Sequence, residues 1–232
     1  SAAAGTADIY DVSLETQNSG STVQDTGSSR VAIQDAQSVS ASVNTVLTFT
    51  IAGVNNGSNC LGTGPRTNNT GSNSTATTIP FGVLEPLARH STCQTLTIAT
   101  NAPSGYNAYV VQNGNLTAGS DDIDQFKDGS RIDDGASTAW TAPAVSSQNE
   151  NTQGHFGYVS SDSQVFSNAD NFAGVPTGPA ASAAPITTGL VCNNTAATTG
   201  DTCTVEFDVE ISALQPAGSY TSELQYIVAP TY

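Results

Sequence analysis

The chain has 232 residues and a net charge of −15, with a single lysine, Lys127, and four arginines. Binding a phosphate backbone needs a basic footprint, so nucleic acid is not an expected partner; the acidity fits a well-solvated surface. No apolar run approaches the roughly 20 residues that a membrane helix requires, so no membrane span is expected in the mature chain.

The chain opens Ser-Ala-Ala-Ala-Gly and contains no methionine. That start reads as the mature product of a secreted protein, cleaved after small residues. Next comes "IYDVSLE", in which Tyr10, Val12 and Leu14 alternate with Asp11, Ser13 and Glu15. Period-two alternation predicts a half-buried strand, with Ile9 beside the apolar face. Residues Asn18–Ser29 are Ser, Gly, Thr and Asp with little else. Such a composition predicts a flexible coil. Three segments follow: a candidate donor strand over 1–16, a tether over 17–29 and one domain over 30–232. Residues 7–15 are expected to pair with another copy of the chain. The other reading makes them the first strand of their own sandwich.

Strand signals then recur along the domain. "SVNTVLTFTIAG" alternates at Val43 and, after a shift, at Leu47, Phe49 and Ile51. "QTLTIAT" carries Leu96 and Ile98, and "GYNAYVVQNGNL" carries Tyr106, Ala108 and Val110 before an Asn-Gly turn signal. Phe156 and Tyr158 mark a further strand. In "CTVEFDVEIS", Val205, Phe207, Val209 and Ile211 are expected inward, and Glu206, Asp208 and Glu210 outward. "GSYTSELQYIVAP" closes the chain with Tyr220, Leu224 and Tyr226 out of strict phase. Residues 55–78 and 114–152 read as long polar excursions. Ser and Thr supply a quarter of the residues, helix signals are nearly absent, and no long repeat occurs. The expected fold is an all-β, antiparallel β-sandwich (jelly-roll or Ig-like) with long polar loops.

Four cysteines fall as two local pairs, Cys60 with Cys93 and Cys192 with Cys203. In a secreted chain these read as disulfides, although the sequence leaves crossed pairings open. None has zinc-knuckle spacing. Asp121, Asp122, Asp124 and Asp128, with Asp133 and Asp134 behind them, form one dense carboxylate run. Clustered hard oxygens suit Ca²⁺, but the spacing is not that of an EF-hand, and a charge run is usually a solvated loop. Sequons begin at Asn56, Asn68, Asn73, Asn115 and Asn193, a number that chance alone supplies in a chain this rich in Asn, Ser and Thr. They permit glycosylation and do not argue for it. Trp140, the sole tryptophan, is either a sugar-stacking platform or the anchor of the long loop. No nucleophile elbow, metalloprotease pair or phosphate loop is present, and His90 and His155 stand apart from any Ser or Cys partner. Neither an enzyme nor a cofactor is expected.

The stretches "TIPFGVLEP", "CQTLTIATNAPSGYNAYVVQNGNLT" and "QPAGSYTSELQYIVAPTY" together resemble secreted bacterial surface β-proteins, and more distantly WxL-type surface domains. The WxL tryptophan motif is missing. The layout is similar to filament subunits assembled by donor-strand exchange, the TasA-like and chaperone–usher pilins. There an N-terminal strand enters a neighbouring subunit. The resemblance implies a non-enzymatic subunit of an extracellular, cell-surface homopolymer. The alternative is a monomeric adhesin or carbohydrate-binding module that uses Trp140.

Overall fold

A computed structural model describes every residue except 1, 2, 4, 35, 59, 62–66, 69–72, 127–133, 144–152, 169 and 178–188. The fold is all-β, with antiparallel sheets packed together as a sandwich. The chain divides into two compact units, residues 1–44 and 45–232. The break falls beyond position 29, where the composition shift placed it.

The first unit is a two-stranded hairpin of β1 (Asp8–Gln17) and β2 (Val23–Ile33). The stretch read as a tether is therefore the turn and most of a second strand. Its turn chemistry comes from one side chain: Asn18 Oδ1 accepts the amides of Gly20 (2.9 Å) and Thr22 (3.0 Å). The Ser21 amide bonds back to the Asn18 carbonyl, with Ser21 at φ 60°. Asn closes turns in this way because its amide mimics the backbone two residues on.

The second unit holds two sheets. The larger one orders β3 (Leu47–Gly53), β5 (His90–Thr100), β13 (Thr198–Ile211), β10 (Gly154–Ser160), β11 (Asn171–Gly174) and β9 (Thr138–Ala139). The short strands β4 (Thr67–Asn68), β7 (Leu116–Ala118) and β8 (Asp121–Gln125) attach to it. The smaller sheet orders β12 (Leu190–Asn194), β6 (Tyr106–Gln112) and β14 (Leu224–Pro230). The core between them is aliphatic and aromatic, with Leu96, Ile98, Val110, Val205, Phe207 and Val209 fully buried. Tyrosines tie the layers: Tyr106 donates to Asp201 (2.9 Å), and Tyr226 to Gln94 (3.1 Å). Burial pushes both phenols above their usual range, and for Tyr106 the Asp201 carboxylate adds to the shift.

Three expectations are corrected here. Val43 lies outside β3 and is exposed. The chain bends at Asn113-Gly114, but β6 and β7 do not pair, because β6 is flanked by β12 and β14. Glu206, Asp208 and Glu210 are not outward in solvent: all three are buried. A further aromatic layer covers that face of β13. Phe126 stacks on Trp140 (4.7 Å), and Phe172 meets Trp140 edge-on (5.2 Å). Gly157, opposite Asp208 in the ladder, allows the approach: a Cβ there would lie 3.0 Å from Phe126 and 3.1 Å from the indole. Arg89 pairs with Asp208 at 3.1 Å and lies over the Trp140 and Phe172 rings. The indole N–H donates to Glu210 at 2.6 Å.

Candidate assembly interface

In the hairpin register, Tyr10 faces Val31, Asp8 faces Ile33, Val12 faces Ser29 and Leu14 faces Gly27. Directly opposed residues share a face, so Tyr10, Val12, Leu14, Val31 and Ile33 form one apolar stripe. Their exposures are 52, 52, 72, 45 and 58%. The opposite face is mostly polar, with Asp11 bonded to Arg30 at 2.7 Å. Ile9 belongs to that second face, opposite Ala32, and not to the stripe. The sequence pointed to Tyr10, Val12 and Leu14. It missed Val31 and Ile33, whose alternation is diluted by Gly27, Ser28 and Ser29.

The sandwich has an unfinished surface of its own. β3 ends the larger sheet and β14 ends the smaller one, and Phe49 of β3 meets Tyr226 of β14 edge-on (6.3 Å). Alongside this contact, a groove of about 1170 Å³ opens between the sheets. Its walls include Ile51, Phe81, Leu116, Ile211, Leu224 and Tyr226, each of them only partly covered while packing against the core. Among the described residues, most of the half-covered members of the core lie here. Two segments rim it, Ala76–Leu84 and Ala213–Glu223. They coincide with the "TIPFGVLEP" and "QPAGSYTSELQYIVAP" stretches, whose irregular phase comes from lining a groove and not a closed core. Compared with known protein families, with curated proteins and with solved structures, the chain matches none of them.

The remaining candidate residues sit elsewhere. Cys60–Cys93 and Cys192–Cys203 are disulfides, the local pairing read from the sequence, and they are consistent with an oxidising environment. Asp121, Asp122 and Asp124 lie in β8, and Asp124 is buried, so this part of the carboxylate run is strand and not loop. The Asn115 amide bridges the Asp122 and Asp124 carboxylates, at 2.9 Å to each. Asp128 and Asp133 lie outside the described residues, and among those described no set of three His, Cys, Asp or Glu side chains is placed to hold a metal. Asn56 and Asn73 are exposed and joined, the Asn56 amide donating to Asn73 Oδ1 at 2.7 Å. Asn193 is partly buried in β12, and the side chain of Asn68 is outside the described set. Trp140 anchors the segment around β9 to the outer aromatic layer. Among the described residues, no helix is long and apolar enough to cross a membrane. His155 is buried, its Nδ1 3.0 Å from the Thr141 carbonyl. Desolvation lowers the His90 pKa, against the raising effect of Glu85.

Proposed function

We propose that this chain is the structural subunit of an extracellular filament at the cell surface, assembled by N-terminal strands that complement a neighbouring copy. One observation supports this reading above the others. An amphipathic hairpin of 10 and 11 residues per strand carries a stripe of five exposed apolar side chains on one face. An isolated two-stranded hairpin is marginal in water and needs packing to persist. Contiguous exposed apolar surface of this kind marks an interaction site. Covering the stripe is worth about 1.5–3 kcal/mol per side chain before the cost of association. Adding strands to another chain is an established mode of recognition by sheets, and its backbone ladder fixes direction.

The donor is the two-stranded hairpin. A single strand on a coil was the expectation. Its contact with the next copy is heterologous, joining unlike surfaces, so it propagates unless the rotation closes a ring. The activity is mechanical, and neither a cofactor nor catalysis enters this reading. Glycans on Asn56 or Asn73 would sit on an exposed segment.

The test is sedimentation velocity with negative-stain electron microscopy on the full chain and on Val12→Asp/Leu14→Asp. The reading expects polymers from the first and folded monomer from the second. A full chain that stays monomeric at high concentration overturns it in favour of a monomeric binding module.

A further inference from the structure

Resting on the assembly reading above, the geometry points to the groove between β3 and β14 as the acceptor, and to the β1–β2 hairpin of a second copy as its occupant. The two surfaces are unfinished in complementary ways. The hairpin has an exposed apolar face. The groove is lined by half-covered side chains such as Ile51, Leu116 and Leu224. Along its two margins run β3 and β14, which terminate their sheets among the described residues.

That last feature selects the class of occupant. A terminal strand presents a row of backbone donors and acceptors, and nature ordinarily covers or blocks such an edge. A lipid or a sugar would fill apolar space but leave both ladders open. A strand with side chains alternating at period two satisfies both needs at once: Tyr10, Val12 and Leu14 turn into the groove, and the backbone extends a sheet.

The joining segment leaves a second copy, the partner that the assembly reading supplies, within reach. Residues 34–46 contain neither Gly nor Pro, and none of the described ones lies in a strand. The segment ends where the Val46 amide donates to Asn101 Oδ1 (2.7 Å), immediately before β3. Running on extended, 13 residues reach about 43 Å at roughly 3.3 Å each, enough to reach a neighbouring copy.

Three full-length variants test this. Val12→Asp/Leu14→Asp spoils the donor and keeps the groove; Leu224→Asp spoils the groove and keeps the donor. Ala217→Trp, at an exposed groove-lining position, is a second groove variant that introduces no charge. Circular dichroism and intact disulfides verify that each is folded. The expected result is a monomer from each variant alone and a 1:1 dimer on mixing donor-spoiled with groove-spoiled chain, by sedimentation velocity. If both groove variants still polymerise while the donor variant does not, the acceptor lies elsewhere and this inference fails, although hairpin-driven assembly stands. If the donor variant polymerises, or if unaltered chain is monomeric, the assembly reading fails and takes this one with it.

Discussion

β1 and β13 carry the same sequence signal and meet opposite fates. Each alternates apolar and acidic residues: Tyr10, Val12 and Leu14 against Asp11 and Glu15, and Val205, Phe207 and Val209 against Glu206, Asp208 and Glu210. β1 is exposed along nearly its whole length, apolar face included. The second half of β13 is buried on both faces, carboxylates included. Alternation states that one face wants cover. Whether cover exists, and whether the other face receives it too, depends on what the rest of the chain brings alongside. In β13 a central position brings sheet neighbours on either side, and Phe126, Trp140 and Arg89 add a lid. β1 pairs with β2, which brings more apolar surface of its own.

The contrast is open to breakage at several points. The largest effect is expected in the core: Phe207→Ala should cost about 3–5 kcal/mol, read by denaturant unfolding, because the cavity cannot collapse between packed sheets. Next, Arg89→Met removes a charge partner of buried Asp208 and should cost about 3 kcal/mol. A loss under 1 kcal/mol would mean that the outer layer carries little of the fold's stability. Opening Cys192–Cys203 with a double Ser substitution should cost about 2–4 kcal/mol through the unfolded state. Leu14→Ala, by contrast, should shift unfolding of the sandwich by less than about 0.5 kcal/mol, as exposed substitutions do, while weakening assembly. The smallest effect concerns His90, whose pKa is lowered by burial. Its contribution is therefore present in full above about pH 6.5 and is lost as the pH falls below that, toward its folded value. His90→Gln should flatten the stability profile slightly over that window.

The sandwich was legible because its strands alternate strongly and its cysteines are paired by proximity. Leu96, Ile98, Val205, Phe207 and Val209 occupy the core where their phase placed them. The hairpin was half legible. Its first strand has a clean period, but its turn rests on one Asn side chain and its second strand hides behind Gly27, Ser28 and Ser29, residues with little strand preference. The outer layer was illegible for a different reason. Glu206, Asp208 and Glu210 read as solvated, and their burial depends on Arg89 and Trp140, more than 60 residues away in sequence. The groove was the least visible part, since an opening is defined by what does not cover it, and no residue pattern records an absence.

Hydrogen exchange of the hairpin amides tests the central claim most directly. Backbone protection over Asp8–Gln17 and Val23–Ile33 is followed in dilute chain and in concentrated, sedimentable material. The account predicts weak protection in the dilute chain, as suits a marginal hairpin, and strong protection once copies are joined. Equal and weak protection in both states would contradict it, as would full protection in the dilute monomer, which would mean that the stripe is covered within its own chain.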